Sequence, residues 1–125
     1  MSEVSFAPAQ STAGTEPLRE PGAFEALVRE IGQDGAAEIR DVFWGDTSAR
    51  LELFRTLDLG QHRSEIGREA HSLKSAARTF GYLRLAALAL ELERTAEALG
   101  EAEFCDLLDR MDATYAAARK QEPLD

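Results

Sequence analysis

The chain has almost no cysteine: Cys105 is the one thiol among 125 residues. A single thiol makes no internal disulfide and no metal cluster, so the expected setting is a reducing one, the cytoplasm. Long hydrophobic runs are missing as well. No stretch reaches the roughly 18 apolar residues of a membrane span, and the amino terminus carries no basic-then-apolar leader. Membrane insertion and secretion are therefore not expected. Net basic charge is absent too, the formal balance being −9. Phosphate backbones reward clustered Lys and Arg, which excludes a general nucleic-acid binder. There is no glycine-rich phosphate cradle, no His-Glu-x-x-His metal spacing, no serine nucleophile elbow and no cysteine pair. Without a nucleotide-binding segment the chain has no means of phosphorylating itself from ATP, and no intrinsic cofactor or metal is expected. Alternation with period two is never sustained, so strands are excluded.

What is present is helical periodicity. Residues 1–20, rich in Ser, Thr, Ala, Gly, Pro and Glu, read as a flexible tail. Pro21 and Gly22 end it, and Phe24, Leu27, Val28 and Ile31 follow at helical spacing up to Gly32. Asp34 is placed to cap a second helix, with Ile39, Phe43, Phe54 and Leu57 on one face and Trp44 and Leu51 beside it. Gly45, Asp46, Thr47 and Ser48 weaken its middle, leaving one long helix or two pieces. Continuity is preferred because two short helices would each be marginal. A turn at Asp58, Leu59 and Gly60 leads to a third helix from about Gln61 to Phe80, stopped by Gly81. A fourth carries Leu85, Leu88, Leu92, Ala96 and Leu99 from Leu83 to Gly100. A fifth carries Phe104, Leu107, Leu108, Met111, Tyr115 and Ala118 and fades before Pro123.

Short connections between long amphipathic helices make neighbours antiparallel. The expected fold is all-α: an up-and-down antiparallel four-helix bundle, residues 21–120, with an additional short N-terminal helix laid across one end and a C-terminal tail at 121–125. Nothing in it requires an internal pocket.

The chemistry concentrates between Glu69 and Gly81. Ile66, Ala70, Leu73, Ala77 and Phe80 mark the buried side of the third helix. His71 projects roughly 140° from that stripe, on the side of Ser64, Gly67, Lys74, Ser75 and Arg78. From Gln61 to Gly81 four basic residues (Arg63, Arg68, Lys74, Arg78) face two acids (Glu65, Glu69), so this segment is basic within an acidic chain. A solvated mixed-charge helix face is the plain reading of that balance. An imidazole, with an ordinary pKa near 6.5, also offers a neutral nucleophilic nitrogen at physiological pH and carries transferred groups covalently. Lys74 and Arg78 share its side of the helix and are placed to balance negative charge on a phosphoryl group. Gly67 and Ser75 leave room for an approaching molecule, and Arg68 adds to the docking side. His62 falls near the apolar face at the helix start, where a structural or capping role fits.

The pattern His-x-Leu-Lys at His71 to Lys74, small residues after it, and glycine ten positions on at Gly81 resembles the signature of histidine-containing phosphotransfer (HPt) domains. The wording His-Ser-Leu-Lys and Thr-Phe-Gly, together with Leu92-Glu93, is similar to the phosphoryl-carrying domain of chemotaxis kinases. The resemblance spans about residues 23 to 120. Where the family usually has glycine directly after the lysine, this chain has Ser75, still small. The resemblance implies phosphoryl carriage on His71 and makes Lys74 the motif lysine. It also implies that Glu93 accepts a hydrogen bond from one imidazole nitrogen; the alternative is an ordinary ion pair of Glu93 with Arg94 or Arg63. The implied partners are response-regulator receiver domains, including that of a hybrid histidine kinase, with the receiver supplying Mg²⁺. The leading reading is a phosphorelay intermediate between receivers. Two others stay open: the first domain of a larger chemotaxis-type kinase, depending on what lies beyond residue 125, and a phosphate-independent helical adaptor.

Overall fold

The computed structural model describes residues 14–121. These form five helices and no strand: α1 (Ala23–Ile31), α2 (Gln33–Thr56), α3 (Leu59–Thr79), α4 (Leu83–Thr95) and α5 (Glu101–Gln121). α2 touches both α3 and α5, α3 packs on α4, and α4 packs on α5, so the contacts close a ring around one core, with α1 against α2. The core runs from Phe54, Ile66, Leu73, Leu85, Leu88 and Leu92 to Leu108 and Met111, while Ile31, expected on the inward face of α1, is exposed. At one end Phe43, Trp44, Phe80 and Tyr82 stack with ring centroids as close as 4.8 Å, and the Tyr115 hydroxyl donates to the Trp44 carbonyl at 3.0 Å.

α2 runs unbroken through Gly45 to Ser48, because tertiary burial of Phe43, Trp44, Thr47 and Leu51 outweighs the weak propensity of that stretch. Its buried phase differs from the expected one. Ile39 is 38% exposed, while Arg40 is only 5% exposed and sets its guanidinium 4.3 Å over the Phe24 ring. The cation and aromatic ring satisfy each other, so the apolar stem of Arg40 takes the inward position and Ile39 rotates out. Further along α2, Arg50 pairs with Glu69 of α3 at 2.9 Å.

Several boundaries also move. Asp34 does not cap α2, which starts at Gln33 after Gly32 with no side-chain cap bond; its charge instead meets the positive end of the helix dipole. Leu59 belongs to α3 rather than to the preceding turn, because the core buries it. His62 sits at a kink with φ −128° and donates from Nδ1 to the Asp58 carbonyl at 3.1 Å, a structural role. α4 stops at Thr95, well before Gly100: the amides of Ala98 and Leu99 both turn back to the Thr95 carbonyl, which tips Leu99 into the core.

Gly81 does end α3. It takes φ +78°, with its own amide on the Arg78 carbonyl and the Tyr82 amide on the Ala77 carbonyl, a Schellman closure. Of the tail expected at 1–20, residues 14–20 lie against the bundle. The Glu20 amide donates to the Gly81 carbonyl, the Arg84 amide to Pro17, and Leu18 packs on the core. Residues 1–13, and 122–125 at the other terminus, lie outside the described residues.

Two glycines therefore respond oppositely to a methyl group. At Gly45, within α2, a Cβ meets nothing within 4 Å, so Gly45→Ala stabilises the fold by about 1 kcal/mol through helix propensity. At Gly81 a Cβ falls 2.5 Å from that of Ala23 and the positive φ is lost to it, so Gly81→Ala costs more than about 1 kcal/mol. Buried Thr47, whose hydroxyl finds no partner in the described structure, predicts a gain of about 1 kcal/mol for Thr47→Val. Urea unfolding midpoints check all three.

Candidate functional site

The site is built on the α3–α4 seam, the most extensive interface in the chain. Small residues are buried along both helices, Ala70 and Ala77 on α3, Ala86 and Ala89 on α4 and Ala96 at its cap, with Gly67 of α3 against Ala96. A Cβ on Gly67 would meet that of Ala96 at 3.6 Å. Small residues let two helices approach closely, which brings short side chains on their flanks within reach of one another. Polar ties also cross the seam. Arg63 Nη1 donates to the carbonyls of Ala96 at 3.0 Å and Leu99 at 2.8 Å, and the Ser64 hydroxyl donates to Glu97 at 3.1 Å.

Across the same seam His71 meets Glu93. The imidazole is 58% exposed on the outside of α3, and its Nδ1 lies 2.7 Å from Glu93 Oε2. Lys74, only 12% exposed, donates from Nζ to the other oxygen, Oε1, also at 2.7 Å. The Lys74 hydrogen bond, with that of His71 adding to it against the opposing effect of partial burial, holds the Glu93 carboxyl below its ordinary 4.5. An ionised carboxylate is an acceptor only. Nδ1 must therefore carry the proton, and in the neutral ring Nε2 keeps a lone pair directed away from Glu93 and open to solvent. Such a ring is a positioned nucleophile.

Of the two readings of Glu93, the ordinary ion pair with Arg94 or Arg63 is not the one formed: Arg63 is committed to backbone carbonyls, and Glu93 is shared between His71 and Lys74. Lys74 lies on the carboxylate rather than projecting freely beside the ring. Arg68, Ser75 and Arg78 are exposed on α3, and neither arginine makes an ion pair among the described residues. Gly67, expected to leave room for a partner, is half-buried and faces α4. Sequence reasoning missed the ties of Arg63 and Ser64, because their partners lie more than thirty residues away and in Arg63's case are backbone atoms without a residue signature. Among the described residues no group of three or more His, Cys, Asp or Glu is placed to hold a metal ion, and no helix is long and apolar enough to cross a membrane.

Fold and site together give an all-helical domain that presents one exposed histidine, its Nδ1 held by a carboxylate from the next helix. The Hpt domain profile matches residues 38–121, and the chain belongs to this family of histidine phosphotransfer domains. α1 and the first turn of α2 precede the match. The fold is similar to the crystal structure of histidine-containing phosphotransfer protein B from Pseudomonas aeruginosa PAO1, with a TM-score of 0.76 and 22% identity over 83% of this chain and 90% of that one. Comparison with curated protein sequences finds no match.

The depressed acidity of Glu93 has a definite sign in stability. Its pairing contributes fully above the ordinary 4.5 and is lost as pH falls through the lower folded value. Glu93→Gln is expected to cost about 0.5 kcal/mol at pH 7, a small figure because the site is solvent-screened. Urea titrations of both proteins should show the difference vanishing in strong acid.

Proposed function

We propose that the protein is a phosphorelay intermediate. His71 accepts a phosphoryl group from the aspartyl phosphate of one response-regulator receiver, such as that of a hybrid histidine kinase, and passes it to the receiver of another. In this reading Nε2 attacks phosphorus in line, the P–O bond to the aspartate breaks, and the aspartate leaves as a carboxylate. The ring keeps its Nδ1 proton and acquires positive charge, which the Glu93 carboxylate balances. Transfer onward is the reverse reaction at a second receiver: its aspartate attacks phosphorus and the N–P bond breaks.

Lys74 keeps Glu93 ionised and turned toward the ring, and its remaining donors sit one turn from the nucleophile for the phosphoryl oxygens. Arg68 and Arg78, exposed along the same helix, face the acidic rim of the receiver. Ser75 keeps the surroundings of the ring low, while Gly67 lets α4 come close to α3. Mg²⁺ and most of the transition-state machinery belong to the receiver. The chain contributes orientation and access, working in the cytoplasm on the up-and-down bundle we read in its closed ring of helices. The observation that supports this most is the exposed His71 ring with Nδ1 held 2.7 Å from Glu93, within a chain that belongs to the Hpt family.

The same constellation also suits the phosphoryl-accepting first domain of a chemotaxis-type kinase, a reading favoured by the joint presence of His71, Lys74 and Glu93. Offering the protein a phospho-receiver in one tube and an ATP-loaded kinase domain in another separates the two donors.

Incubation with a radiolabelled phospho-receiver is expected to place acid-labile label on the wild-type protein and none on His71→Gln. Equal labelling of that variant excludes the assignment. Glu93→Ala should stay folded and transfer on the order of ten-fold more slowly, the effect of losing one hydrogen bond worth about 1.4 kcal/mol.

A further inference from the structure

We infer that Arg63 is a positioning residue for the nucleophile, acting through the C-terminal end of α4. The inference rests on the reading of His71 as the carrier and Glu93 as the group that orients it. α4 reaches that end without the usual closure. Its helical residues stop at Thr95, and the turn that follows contains no residue in the left-handed conformation that closes α3 at Gly81. The carbonyls of a helix end need donors. Past the end of α4 the guanidinium of Arg63 supplies them, one Nη spanning the carbonyls of the cap residue Ala96 and of Leu99 in the turn that follows, at 3.0 and 2.8 Å. It also sets positive charge at the negative end of the helix dipole.

Arg63 lies about two turns before His71 on α3, and the carbonyls it holds begin about one turn beyond Glu93, just past the end of α4. A helix is stiff over such a span, so fixing the carbonyls of Ala96 and Leu99 fixes both how far α4 slides along α3 and how it is rotated. Those two coordinates decide whether Glu93 Oε2 comes to 2.7 Å from Nδ1. The neighbouring tie from Ser64 to Glu97 joins two exposed side chains and is too weakly held to replace it. A planar guanidinium bridges two carbonyls in one fixed pose, which a lysine ammonium on its flexible stem does not reproduce.

The experiment compares Arg63→Gln, Arg63→Lys, Glu93→Gln and the double variant Arg63→Gln/Glu93→Gln. Two quantities are read: the His71 ring ¹⁵N shifts, which report the tautomer, and the transfer rate from a phospho-receiver. Helical circular dichroism shows that each variant is folded. Arg63→Gln is expected to move the ring shifts toward the mixed-tautomer values of Glu93→Gln and to slow transfer about three- to ten-fold, as expected for a small misplacement of a reacting group. Arg63→Lys falls between Arg63→Gln and wild type. The double variant is no slower than Glu93→Gln alone, since both changes act through one bond.

Wild-type ring shifts in a folded Arg63→Gln, or rate losses that multiply in the double variant, overturn the inference. If Arg63→Gln does not fold, Arg63→Lys decides: wild-type shifts and rate in that variant overturn it equally. Should Glu93→Gln itself leave shifts and rate unchanged, the orienting role of Glu93 falls and this inference with it. Altered Glu93→Gln beside an unaltered Arg63→Gln removes only the role of Arg63.

Discussion

Everything at the site depends on one carboxylate reaching across a helix seam. Glu93 has a short side chain, and to hold His71 on one oxygen and Lys74 on the other it needs α4 close to α3 and correctly rotated. Closeness comes from the glycine and alanines lining the seam, since a leucine at Ala70 or Ala89 would hold the helix axes apart. Arg63 ties α3 to the carbonyls of Ala96 and Leu99 at one end, and the Schellman turn at Gly81 closes α3 at the other. The carboxylate then does two things at once: it selects Nε2 as the free nitrogen, and it is kept charged by the lysine that shares it.

The rest of the molecule serves to keep that seam still while leaving it open. α2 locks the far flank of α3 through Arg50 and Glu69, and Arg55 ties α2 to Asp109 and Asp112 of α5. Residues 14–20 are drawn over the α3–α4 corner, with Glu20 and Ala23 packed so close to Gly81 that only glycine fits there. None of this encloses the histidine, which stands on the outside of a helix. What the structure displays there is geometric: an oriented ring, an open approach, and exposed basic side chains on a chain that is otherwise acidic.

Much of the fold was legible because apolar spacing survives without knowledge of neighbours. The inward faces of α3 and α4 are buried as read, and that of α5 too except that Tyr115 is half-buried and Thr114 goes in beside it. The errors fall where a polar residue takes a core position. Arg40 goes inward because Phe24, on another helix, offers a ring to receive it, and no periodicity in α2 announces that. Thr47 is buried on the same account. The early stop of α4 at Thr95 was hidden because Ala96 and Leu99 stay apolar and in phase even after the helix has ended.

For the site, the order of residues alone determined that His71 faces solvent, since its angle from the stripe of Ile66, Ala70, Leu73 and Ala77 follows from helix geometry, and that small and basic residues surround it. Order alone left Glu93 with several possible partners, and it placed Lys74 beside the phosphoryl group without showing the carboxylate that claims it. The tertiary structure decided both, and it decided the commitment of Arg63 to the α4 terminus as well. The physical reason is that periodicity specifies which way a side chain points from its own helix, whereas a hydrogen bond of 2.7 Å between helices depends on how far one slides and turns against the other, and that is set by packing along the whole seam.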